Sequence, residues 1–109
     1  MDKAKRKKLE NAGWRVGSAE EFLGLTPEES AFVELKLALS DELKDRRSAS
    51  GLTQVELAKR MGSSQSRVAK MEAADPSVSI DLLMRALLEM GASRAEVARA
   101  ISKRVRRAA

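Results

Sequence analysis

Between Gln65 and Lys70 the chain sets four hydrogen-bonding side chains close together: Gln65, Ser66, Arg67 and Lys70. Acid–base turnover is not their chemistry. Recognition is. A glutamine amide carries an acceptor and donors in one plane and matches the major-groove edge of adenine, and an arginine guanidinium matches that of guanine. Ser63 and Ser64 stand immediately before them, where hydroxyls and backbone N–H groups can meet a phosphate. Gln54 lies eleven residues upstream, in a separate segment.

The rest of the composition narrows the class. The 109 residues include no histidine and no cysteine. That removes the commonest general base, the thiolate nucleophile and the commonest metal ligands. No glycine-rich phosphate loop is present, and the paired acids Glu20-Glu21 and Glu28-Glu29 sit where helix caps need them. No enzyme, cofactor or metal is therefore expected. The formal net charge is +5, which favours a polyanionic partner. No apolar run approaches the ~18 residues of a membrane span. The basic cluster Lys3, Lys5, Arg6, Lys7 and Lys8 leads into no apolar stretch, which argues against a secretory signal. A cytoplasmic protein with no membrane contact is the expectation.

Charge is unevenly spread. Ser18 to Asp45 holds eight acids and two bases, a net of −6, whereas Arg46 to Glu72 holds six bases and two acids, a net of +4. Acid beside a phosphate-binding surface repels the ligand, so the acidic face is expected to point away from it.

The elements that must position these residues are marked by their starts. Ser18-Ala19-Glu20-Glu21, Thr26-Pro27-Glu28-Glu29, Thr53-Gln54-Val55-Glu56 and Ser93-Arg94-Ala95-Glu96 all follow the capping-box pattern. They predict a short helix ending at Gly24, a long helix to about Ser48, a helix to Met61, and a last helix with Val97, Ala98, Ile101 and Val105 on one side. Ser63 or Ser64 caps a helix from about Gln65 to Glu72, and Ser79 caps one that stops at Gly91. On the long helix, Phe32, Leu35, Leu39 and Leu43 form one apolar stripe, and Val33 and Leu37 lie off it as a second strip. Whether Trp14-Arg15-Val16 forms a short extended piece is left undecided by the sequence. The fold class is all-α.

Gln54 to Met71 reads as a single unit. Two short helices crossing over a tight turn need a small residue at the crossing, a residue tolerant of a left-handed backbone in the turn, and apolar inner faces. Ala58, Gly62, and Leu57, Met61, Val68 and Met71 meet those demands. The segment from Gly51 to Glu72 resembles the helix-turn-helix signature of the phage-repressor-like (Cro/cI, XRE) family. The resemblance extends from about Asp41 to Met90 and implies a five-helix repressor-like bundle. It also implies a DNA-binding transcription regulator, a repressor acting as a homodimer on palindromic double-stranded DNA. By that resemblance Gln54 touches a phosphate and buttresses the recognition helix, Gln65, Ser66 and Arg67 face base edges, and Lys70 contacts base or phosphate. Ala73-Ala74-Asp75-Pro76 departs from the Asn-Gly common in relatives and leaves the course of the next loop open.

Two units are expected: residues 1–25 as a basic tail with a short helix, and residues 26–109 as the DNA-binding domain. The acidic extension leading into such a domain is similar to HigA-like antitoxins, which implies a basic ribonuclease toxin as a further partner, met by Trp14, Phe22 and Leu23. Dimer contact is expected from the C-terminal helices or from the Val33–Leu37 strip.

Overall fold

The computed structural model describes residues 24–103. The basic N-terminal tail, the expected helix after Ser18, the Trp14-Arg15-Val16 piece, Phe22, Leu23 and Val105 lie outside the described residues.

Every described helix begins where a hydroxyl closes on the backbone three residues ahead. Thr26 opens α1 (Pro27–Ala49) and Thr53 opens α2 (Gln54–Met61), each in a reciprocal capping box with Glu29 and Glu56. Ser64, rather than Ser63, caps α3 (Gln65–Glu72), accepting from the Arg67 N–H at 3.2 Å. Ser79 caps α4 (Ile80–Glu89), and Ser93 with Glu96 forms the box that opens α5 (Arg94–Ser102). Among the described residues there are five helices and no strand. All five hydroxyl caps satisfy an N–H group that the helix itself leaves unpaired.

The turn between α2 and α3 depends on Gly62, whose φ is +64°. This left-handed cap lets the Ser63 N–H reach the Ala58 carbonyl at 2.8 Å and re-aims the chain into α3. A Cβ at Gly62 would meet no atom within 4 Å, so a substitution there is felt through the backbone alone. Gly62→Ala should therefore cost about 1 kcal/mol, and Gly62→Asn less, because asparagine tolerates this region better. Equal stability of all three proteins in urea would contradict that. After α3 a left-handed residue is needed again, and here Ala74 supplies it at φ +55°. Asp75 then ties the loop by accepting from the Ser77 N–H at 2.9 Å and the Ser77 hydroxyl at 2.7 Å. The course left open by the missing Asn-Gly is thus set by Ala74 and an aspartate turn.

The core gathers Leu39 and Leu43 of α1, Leu57 and Ala58 of α2, Val68 and Met71 of α3, and Leu83 and Leu87 of α4, with Val97 of α5. Met61 packs against it half-buried. Two expectations about faces fail. On α1 the bundle covers the predicted stripe only from Leu39 onward, and Phe32 and Leu35 remain 51% and 36% exposed. Val33 and Leu37 are instead buried, at 3% and 0%, so they offer no strip to a second chain. On α5 the buried residues are Val97 and Ala100, with Ile101 half-buried, while Ala98 faces outward. The spacing of three and four from Val97 defines the inner face.

Ion pairs hold α5 against α1. Arg46 bonds Glu42 at 3.2 Å and Glu96 at 2.9 Å, and Lys103 bonds Glu42 at 3.1 Å. Glu96 is held at a pKa of about 2, first by the Ser93 backbone N–H and then by Arg46. A carboxylate whose pKa falls on folding adds stability that is present above its unfolded value and lost as protons return. The Glu96 contribution should thus disappear as pH falls from about 5 to about 2. Glu96→Gln should flatten that part of the acid-unfolding profile; an unchanged profile would show that Glu96 is uncoupled from folding.

Candidate nucleic-acid interface

The surface of interest is the first turn and a half of α3. Val68, Met71 and Glu72 point into the protein, which turns Gln65, Ser66, Arg67 and Lys70 outward, and all four are exposed. The amphipathic spacing of α3 decides this: apolar residues at Val68 and Met71 fix one face, and the polar set falls opposite.

Gln65 is not left to wander. Its Nε2 donates to Gln54 Oε1 at 2.6 Å, and Gln54 Nε2 donates to Glu72 Oε1 at 3.1 Å. Glu72 is buried and receives the Arg47 guanidinium in a fork, with Nε to Oε2 at 2.5 Å and Nη2 to Oε1 at 3.0 Å. Arg47 Nη1 also donates to the Leu52 carbonyl at 2.8 Å. The chain of bonds thus runs from α1 through the end of α3 and the start of α2 to the head of α3. Glu72, by hydrogen bond and then by charge, raises the Arg47 pKa above its ordinary value, so the guanidinium keeps its charge.

This bracing leaves the reading atoms free. A glutamine amide has two donors and an acceptor. Gln65 uses one donor on Gln54 and keeps one N–H and Oε1, the pair an adenine edge requires. Gln54 uses one donor on Glu72 and keeps the other, which suits a phosphate oxygen. Ser64 Oγ accepts from the Arg67 N–H, and its own hydrogen remains available. Arg67 and Lys70 border a shallow cleft of about 260 Å³ together with Ser64, Ser66, Ser77 and Val78. Ser63, half-buried, belongs to the turn.

The six bases of the central segment divide in two. Lys59, Arg60, Arg67 and Lys70 are exposed, whereas Arg46 and Arg47 are committed to carboxylates. In the sequence Arg47 and Glu72 stand out only as charges. The signal was present: Glu72 follows Val68 and Met71 at the spacing of the inner face, and a carboxylate there needs a cation. The acidic segment also departs from expectation at its end. Asp41 and Asp45 line a cleft of about 530 Å³ with Lys44, Arg47, Gln54 and Glu72. Those turns do not point away from the surface that carries Gln54.

Two helices crossed over a glycine turn, with the second presenting polar side chains from a braced first turn, define a helix-turn-helix DNA-binding domain. Comparison with protein families agrees: a family model described as a helix-turn-helix domain matches residues 38–100, more than half of the chain. The protein belongs to that family of DNA-binding domains, which are typically not enzymes. No curated protein and no solved structure matches the chain. Among the described residues, no helix is long and apolar enough to cross a membrane, and no cluster of acids could hold a metal ion.

Proposed function

We propose that the protein is a cytoplasmic transcriptional repressor that binds a palindromic operator as a homodimer, through a domain spanning residues 26–109. The observation that carries this reading is Gln65, fixed by Gln54 yet keeping one free donor and one free acceptor at the head of an exposed polar helix face. In the complex, Gln65 and Arg67 read base edges and Ser66 contributes a hydroxyl beside them. Gln54, Ser63 and Ser64 hold phosphates, and Lys70 contacts base or backbone. One short helix reads few base pairs, so two copies about 34–36 Å apart give a usable site. Selection of bound sequences from random DNA, with nonspecific competitor and a salt titration, is the test. The expected product is a palindrome whose half-sites lie about one helical turn apart. Enrichment of no sequence would overturn the reading.

A second reading, an antitoxin that neutralises a basic ribonuclease toxin and represses its own operon, draws support from the outward Phe32 and Leu35 next to the exposed Glu28. An apolar patch edged by acid suits a basic protein. Deleting residues 1–24 together with Phe32→Ala and Leu35→Ala should leave operator binding intact and abolish capture of such a partner. Joint loss of DNA binding and folding would show the segment to be part of the core instead.

A further inference from the structure

Among the described residues, the outward face of α4 has no counterpart. Leu83, Ala86 and Leu87 are buried, while Asp81, Arg85, Leu88 and Glu89 are exposed, Leu88 at 51%. Asp81, Arg85 and Glu89 follow one another at intervals of four, so they stand in a row along the helix, with Leu88 beside them. Arg85 thus has a carboxylate one turn away on either side. Even so, among the described residues none of these three makes an ion pair or a hydrogen bond.

We infer that this face is where two copies of the chain meet, α4 against α4 in antiparallel sense about a two-fold axis; the inference rests on the reading of the protein as an operator-bound dimer. The pattern is self-complementary, as a two-fold interface demands. With the axis level with Leu87, each Leu88 lies about 1.5 Å along the helix from it, so the two leucines meet at the centre. Arg85 then stands level with the partner's Glu89, and the symmetry makes that contact twice on the same flank. Opposite charges face each other across an apolar pair. In any register that opposes Arg85 to itself, two guanidiniums meet, and that repulsion selects the first arrangement. A ten-residue helix is about 15 Å long, so the patch falls below the roughly 1,000 Å² of a stable free dimer. The pairing is therefore weak in solution and strengthened when two half-sites hold the copies side by side.

The test uses the full chain in sedimentation equilibrium at high concentration, and in titrations of a full palindrome against a single half-site. R85E and E89R should each weaken self-association about tenfold and lower cooperativity on the palindrome to match, with half-site affinity unchanged. The doubly reversed protein R85E/E89R should recover both, and Leu88→Ala should weaken both without charge change. Self-association that is equal in all variants would overturn this interface while leaving the dimer reading standing. A wild-type protein that stays monomeric at every concentration and binds the palindrome without cooperativity would overturn both.

Discussion

Glu72→Ala is expected to remove about 3 kcal/mol of folding stability, a large share of what a domain of this size has. The carboxylate is buried, and three donors converge on it: Arg47 Nε, Arg47 Nη2 and Gln54 Nε2. Truncation leaves the guanidinium, only 15% exposed, facing a void without its counter-charge. Loss of one partner of a nearly buried pair costs far more than loss of both. Replacing Arg47 and Glu72 together by methionine should hence recover most of the stability, and a urea titration of the three variants measures the difference. A cost below about 1 kcal/mol for Glu72→Ala would mean that water already screens the pair. Operator affinity separates the two roles of Glu72. In the double-methionine protein the fold returns but Gln54 has lost its anchor, so specific binding should stay weakened.

Arg67→Ala is the second large effect. Arg67 is exposed, projects from the first turn of α3, and its guanidinium makes no bond to another side chain among the described residues. A guanidinium set against a guanine edge contributes about 1–3 kcal/mol of discrimination. Arg67→Ala should therefore weaken the selected operator roughly ten- to a hundredfold and relax preference at one base pair of each half-site. Arg67→Lys should recover little, because a point charge cannot reproduce the fork. Lys70→Ala is the useful contrast: as a phosphate contact it would weaken all sequences alike and reduce the salt slope by about one. Uniform weakening by Arg67→Ala would move Arg67 into that second class.

The polar head of α3 was legible in the sequence because its logic is local. Helix caps at Thr26, Thr53, Ser64, Ser79 and Ser93 act over three residues, and the left-handed turn at Gly62 acts over fewer. Gln65, Ser66, Arg67 and Lys70 were placed outward by the spacing of Val68 and Met71 alone. The departure at Ala73-Ala74 was visible as a departure, but its outcome was not. A positive φ at alanine is tolerated only because the flanking helices impose it.

What the sequence determined by itself was therefore the five described helices, their starts, and the identity of the polar side chains exposed at the head of α3. The tertiary structure alone decided three further matters. It chose which apolar strip of α1 is buried: a helix can carry two strips of equal hydrophobicity, and only the position of its neighbours tells Leu37 from Leu35. It brought Arg47 to Glu72 and Gln54 to Gln65, contacts spanning 25 and 11 residues that no local rule encodes, because they exist only once the helices have crossed. It also set Asp41 and Asp45 on one cleft with Gln54, where composition had suggested that acid and the candidate interface stand apart. The physical reason is the same each time: caps and turns are settled by atoms a few bonds away, whereas burial and long-range pairing are settled by how the helices pack.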